Sequence, residues 1–181
     1  GESAGMIGVS TDITERDRRE RTTAAFLRLL DYAGTHTVTE LLQRFLDEAE
    51  ELTGSELAFF CFVETDQKTL SSQTWSTNTI ASMCKIGKAG EHQPIDQAGV
   101  WGDCVRERRP VIHNDYARLP HGRGLPQGHA PITRELAVPI FRAEKIVAAR
   151  GVGNQKTDYH ARDVRTEAHL ADLVWAARVR R

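Results

Sequence analysis

Glu135-Leu136-Ala137-Val138-Pro139-Ile140-Phe141, a break at Arg142-Ala143-Glu144, and then Lys145-Ile146-Val147-Ala148-Ala149-Arg150-Gly151-Val152 decide how this chain folds. Two apolar, partly β-branched runs around a short polar break predict a β-hairpin. A second pair lies upstream. Leu57-Ala58-Phe59-Phe60-Cys61-Phe62-Val63 is continuously apolar and short, as a strand buried on both faces should be. Residues 64–68 form a turn, and Thr69-Leu70-Ser71-Ser72-Gln73-Thr74-Trp75 returns. Where hairpins dominate, the sheet is mainly antiparallel. Helical patterns on either side then make the class α+β, an α/β/α sandwich.

Between the hairpins, a short helical piece is expected around Ile80-Ala81-Ser82-Met83. His92-Gln93-Pro94-Ile95 fits a short edge strand, where proline is tolerated. A helix over 100–108 and a strand at Pro110-Val111-Ile112-His113 follow, then a long loop over 114–128. Loops of that length in a compact domain are usually functional or mobile. Upstream, Thr37-Val38-Thr39-Glu40 is a capping box, with apolar residues from Val38 to Leu52 at helical spacing and Gly54 at the stop. Downstream, Asp158 is expected to cap a last helix whose apolar side is Val164, Ala168, Ala171, Val174 and Trp175. Near the start, residues 8–13 read as a strand running into a helix that opens at Thr14 and ends at Gly34. Phe26, Leu29, Leu30 and Ala33 form a stripe narrow enough for a two-helix seam.

Bulk properties exclude several classes. The 181 residues carry 40% hydrophobic and 27% charged side chains, ordinary for one globular domain with flanking helices. A net charge of -1 gives no basic field for a nucleic-acid backbone. The local clusters Arg106, Arg108, Arg109 and Arg178, Arg180, Arg181 read as solvated helix surfaces. Cys61, Cys84 and Cys104 form no C-x-x-C pair, which fits a reducing cytoplasm better than a disulfide framework. No apolar run reaches membrane-spanning length, so no direct membrane contact is expected of this segment.

Several phrases stand in this order: Gly99-Val100-Trp101-Gly102-Asp103-Cys104-Val105-Arg106-Glu107-Arg108-Arg109-Pro110-Val111-Ile112-His113-Asn114-Asp115-Tyr116, Gly128-His129, Arg134-Glu135-Leu136-Ala137-Val138-Pro139-Ile140 and Gly151-Val152-Gly153-Asn154. Together with the order of elements, they resemble a GAF domain. The resemblance implies a GAF/PAS-like central sheet of five or six mainly antiparallel strands flanked by helices. It also implies a ligand cleft roofed by the loops between Trp75 and Thr133. Gly8-Val9-Ser10-Thr11-Asp12-Ile13-Thr14-Glu15-Arg16 is similar to the last strand and exit motif of a PAS domain. The division expected is therefore a PAS strand over 1–13, a linker helix over 14–34, and a GAF domain over 35–181. Both ends read as cut from a longer chain.

The cleft candidates are Trp75, Met83, Cys84, Trp101, Asn114, Tyr116 and His129. Aromatic walls with a few polar groups suit a small molecule, while core packing is the competing role for both tryptophans. Asn114 and Asp115 equally suit a turn held by side-chain to backbone bonds. The family includes haem-binding redox and gas sensors, and a haem here would take Cys84 and His129 as candidate axial ligands. Cys61 and Cys104 read as core residues, and Cys84, beside Lys85 and Lys88, as the reactive thiol. One GAF branch reduces free methionine sulfoxide with cysteines. Trp101 stands where that branch has one, and no cysteine lies between Gly128 and Phe141, so this segment is not expected to be an enzyme.

The expectation is a cytoplasmic sensory domain that binds a small molecule or senses redox state. It would pair as a homodimer through its first and last helices and relay to a downstream effector in the same chain. That effector would be a histidine kinase, less readily a diguanylate cyclase. A ligand-free dimerisation spacer is the rival from another class.

Overall fold

The computed structural model describes residues 3–83, 93–119 and 131–179. The described residues include four α-helices, α1 (Ser3–Ala33), α2 (Val38–Thr53), the single turn α3 (Asp103–Arg106) and α4 (Ala161–Val179). Six strands, β1 (Leu57–Val63), β2 (Thr69–Trp75), β3 (Gln93–Pro94), β4 (Val111–His113), β5 (Glu135–Arg142) and β6 (Lys145–Gly153), form one sheet in the order β3-β2-β1-β6-β5-β4. Every neighbouring pair is antiparallel. The expected α+β sandwich and both hairpins are therefore present. The edge strand at Pro94 is also there, where a missing amide costs the ladder nothing.

The continuous apolar run of β1 is explained by two cores. Ala58 and Phe60 face α1, α2 and α4, in a core with Leu41, Phe45, Leu46, Leu136, Val138, Val152 and Leu170. Phe59, Cys61 and Val63 face the other way, onto Leu70, Ile95, Cys104, Val105, Val111, Ala137 and Ile146. Layers thus lie on both sides, a helical face and a loop face. At the start of α2 the Thr37 amide donates to Glu40 Oε2 at 2.8 Å and the Glu40 amide to Thr37 Oγ1 at 3.3 Å. Gly54 closes that helix in the left-handed region, φ 68°.

Three local expectations are corrected. Residues 8–13 belong to α1, which runs unbroken from Ser3, so Thr14 lies inside a helix rather than at its start. A strand needs a neighbour for its amides and carbonyls, and the sheet offers none there, whereas a helix pairs its own. Asp158 does not cap α4; it accepts from Arg134 Nε at 2.9 Å, and Asp163 takes the His160 amide at 2.8 Å instead. The stripe on α1 is divided: Leu29 and Ala33 enter the helical-face core, while Leu30 is exposed, as is Leu27 beside the stripe. Among the described residues, no helix is long and apolar enough to cross a membrane.

Candidate functional site

The loop face ends in a polar corner that the strand register builds. His113 sits opposite Glu135 across β4 and β5, and Glu135 sits opposite Gly153 across β5 and β6. By strand alternation Glu135 shares the loop face with Ala137. Asp103, the first residue of α3, completes the corner, its Oδ2 3.1 Å from His113 Nε2.

Glu135 is the unusual member. Its side chain is 2% exposed, and neither carboxyl oxygen has a hydrogen-bond partner among the described residues. Burial, reinforced by the charge of Asp103, pushes its pKa up to about 8. At neutral pH it is therefore mostly a neutral acid, able to donate a proton to a hydrogen bond as well as accept one. Tyr116 belongs to the same neighbourhood: burial first, then Glu135 and Asp103, raise its phenol to about 12. Its amide donates to Thr133 O at 3.1 Å, tying the loop to the start of β5.

Arg106 holds the near wall, and here the solvated-surface expectation fails. Its guanidinium donates to the carbonyls of Ile95 (2.8 Å), Ala98 (3.0 Å) and Gly99 (2.7 Å), while its Nε reaches Asp103 Oδ1 at 3.1 Å. It staples the segment before Trp101 to α3.

Both tryptophans rest on one ring. Trp101 meets Phe59 edge-on at 5.4 Å between centroids, and Trp75 meets it tilted at 6.1 Å. Phe59 in turn lies on Gly151, its cross-strand neighbour. A β-carbon there would stand 2.5 Å from Phe59 Cε1 and 2.9 Å from the Leu136 carbonyl. The core role of the tryptophans is thus real, and both remain only partly buried.

Asn114 takes the structural role. Its side chain donates to Tyr159 O at 3.1 Å and accepts from the Tyr159 amide at 2.8 Å, clasping the end of β4 to the approach of α4. Met83 ends a π-helical turn, Thr79–Met83. Cys84 and His129 lie outside the described residues, so the haem ligands proposed from sequence do too. Cys61 and Cys104 are buried. Burial raises Cys61 to about 12 and Cys104 well above the ordinary thiol range, with Cys61, Glu135 and Asp103 adding to the latter. Neither supplies a thiolate at neutral pH. Among the described residues, no cluster of His, Cys, Asp and Glu could hold a metal.

Sequence reasoning missed Glu135 and Asp103. The signal for Glu135 was present: alternation in β5 puts it in line with Ala137 and Pro139, an ionisable residue on an inward face.

The GAF domain family model matches residues 35–178, most of the chain and all six strands. The chain belongs to the GAF family. This GAF domain is 34% identical over 178 residues to the methyl sulfide methyltransferase-associated sensor of Methanosarcina acetivorans, covering 94% of this chain and 18% of that protein. The chain therefore spans about a fifth of that relative's length. Among solved structures it resembles the GAF domain of a phosphoenolpyruvate-protein phosphotransferase from Coxiella burnetii, with TM-score 0.67, 12% identity and coverage of 89% and 96%. It also resembles free methionine-R-sulfoxide reductase from Neisseria meningitidis, with TM-score 0.65, 13% identity and coverage of 86% and 87%. At those identities the likeness is one of fold.

Proposed function

We propose that this GAF domain is a sensory module that takes up a small molecule at the Asp103–His113–Glu135 corner and reports its occupancy through α1 and α4. One observation carries the reading: Glu135 is buried with no hydrogen-bond partner among the described residues. A buried polar group left unsatisfied costs about 1–3 kcal/mol, which a ligand group hydrogen-bonded to it recovers. Tyr116 and the partly exposed Trp75 and Trp101 supply the rest of a mixed polar and aromatic wall. The ligand chemistry that fits is a hydrogen-bonding, uncharged or cationic group at Glu135 with an apolar body against the tryptophans. The sensor relative supports the signalling role.

The output is mechanical rather than catalytic. α1 and α4 pack on the same face of the sheet, and the exposed Leu27 and Leu30 on α1 offer an apolar edge for a homodimer. The parent chain is a cytoplasmic sensor with a PAS domain before this segment and a histidine kinase or cyclase after it. A ligand shifts such a device only by binding its two helix arrangements unequally.

Native mass spectrometry of protein purified without denaturation, read with its visible absorbance, is the test. A bound small molecule that Glu135→Ala releases is the expected outcome. A Soret band would make that molecule haem and put Cys84 and His129 first for mutation. Bare polypeptide that also takes up nothing from a cell extract would overturn the reading in favour of a dimerisation spacer, its loop face filled by Phe59, Trp75 and Trp101.

A further inference from the structure

A second site lies on the opposite side of the sheet, between α1 and α4. A groove of about 440 Å³ runs between them, with Arg18, Arg19 and Thr23 on one wall and Arg162, Arg165 and His169 on the other. The spacing explains the walls. Positions 19 and 23, and positions 162, 165 and 169, recur at helical intervals, so each set forms one row.

Neutralisation within the groove is incomplete. Glu15 is the only acid in its lining. Asp163 is buried and must serve several cations at once. It stands 3.6 Å from Arg18 Nη1 and 3.9 Å from Arg162 Nε, both longer than hydrogen bonds, and its Oδ2 is committed to the His160 amide. Arg18 Nη1 is buried with no hydrogen-bond partner. Arg19 and Arg165 are exposed and have no ion pair among the described residues. Single exposed arginines are usually solvated and uninformative, but four guanidinium groups around one concavity repel one another unless an anion joins them.

We propose that the α1–α4 groove binds a small phosphate-bearing anion. Guanidinium forks match phosphate oxygens two at a time, and the Thr23 hydroxyl adds a neutral donor. The volume suits a compact metabolite. A net charge of -1 gives the chain no overall basic field to hold a nucleic-acid backbone. A second copy docked on this groove about a two-fold axis would set arginine against arginine. Because the walls belong to the two helices that lead into and out of the domain, an anion held between them favours the arrangement in which they lie together. The inference does not depend on a ligand at Glu135.

The test is calorimetric titration of the whole chain with inorganic phosphate, with pyrophosphate and with a sugar phosphate, each against chloride at matched ionic strength. Saturable binding is expected, weakened about tenfold or more in the Arg19→Gln/Arg165→Gln double variant. Arg118→Gln, an exposed arginine on the loop after β4, should leave it unchanged. Inorganic phosphate binding as tightly as the sugar phosphate would make the free ion the ligand. A preference for the sugar phosphate would make it a metabolite. No saturable binding by any of the three, or equal binding by the double variant, would overturn the proposal. So would a phosphate-independent dimer that the double variant dissociates, since the groove would then seat a second copy.

Discussion

Each face of the sheet buries an ionisable group, one in mid-strand and one at a strand's first residue, and the two are treated in opposite ways. On the helical face, Arg150 of β6 is paired with Glu167 of α4, both fully buried, and the Arg150 guanidinium lies over the Phe45 ring at 4.2 Å. Burial pushes Arg150 down and Glu167 up, and their mutual attraction opposes both shifts. That charge is answered from within the chain, by the helix proposed to carry the signal. On the loop face, Glu135 is answered by no hydrogen-bond partner among the described residues. A closed ion pair fixes one element against another; an unanswered carboxyl waits for something to arrive. The contrast separates a part closed within the chain from the part proposed to take a ligand.

The largest effect should come from opening the closed side. Arg150→Met leaves Glu167 buried without its partner and should cost about 3–5 kcal/mol in urea unfolding. Arg150→Met/Glu167→Leu should recover most of that loss. A double variant as unstable as the single one would mean that the pair contributes more than mutual neutralisation.

Glu135 gives the next effect, and it depends on pH. The folded state holds a proton that the unfolded chain gives up near pH 4.5. Stability of the unliganded protein therefore falls as pH rises from about 4.5 to about 8 and levels off above. Glu135→Gln should flatten that slope and be more stable than the parent at pH 8, by about 2–3 kcal/mol, in chemical unfolding across the range. An unchanged slope would show that Glu135 is already answered, and the contrast between the faces would fail.

The smallest effect probes the link between the faces. Asn114→Ala removes both bonds to Tyr159 and should cost about 1–2 kcal/mol. Hydrogen exchange should speed up at the Tyr159 amide and the first turn of α4 while β1 and β6 stay protected. Uniform loss of protection would mean that the clasp serves the whole fold rather than the junction.

Legibility in the sequence follows locality. The hairpins, the Thr37 capping box and the stop at Gly54 are decided by residues a few positions apart, so they could be read directly. Residues 8–13 have strand-like composition, but a strand exists only beside another, and that partner is not a local property. Asp158 looked like a cap because it precedes the helix; Arg134, distant in sequence, claims it instead. The corner was half legible. Tyr116, Trp75 and Trp101 were already candidates from sequence, whereas Asp103 and Glu135 became candidates only once the register set His113 against Glu135. Arg150 hid in an apolar run for the same reason: Glu167, the residue that permits it there, lies on another element.

Gly151 bears on how this surface can diversify. The aromatic platform that carries both tryptophans rests on a position with no side chain, and a single added methyl would collide with a ring on one side and a main-chain carbonyl on the other. Descendants of this sequence can exchange the tryptophans for other shapes and so change what the surface receives. They can do so only while the residue beneath stays the smallest there is. The most constrained letter of a candidate recognition surface is thus one that touches no ligand.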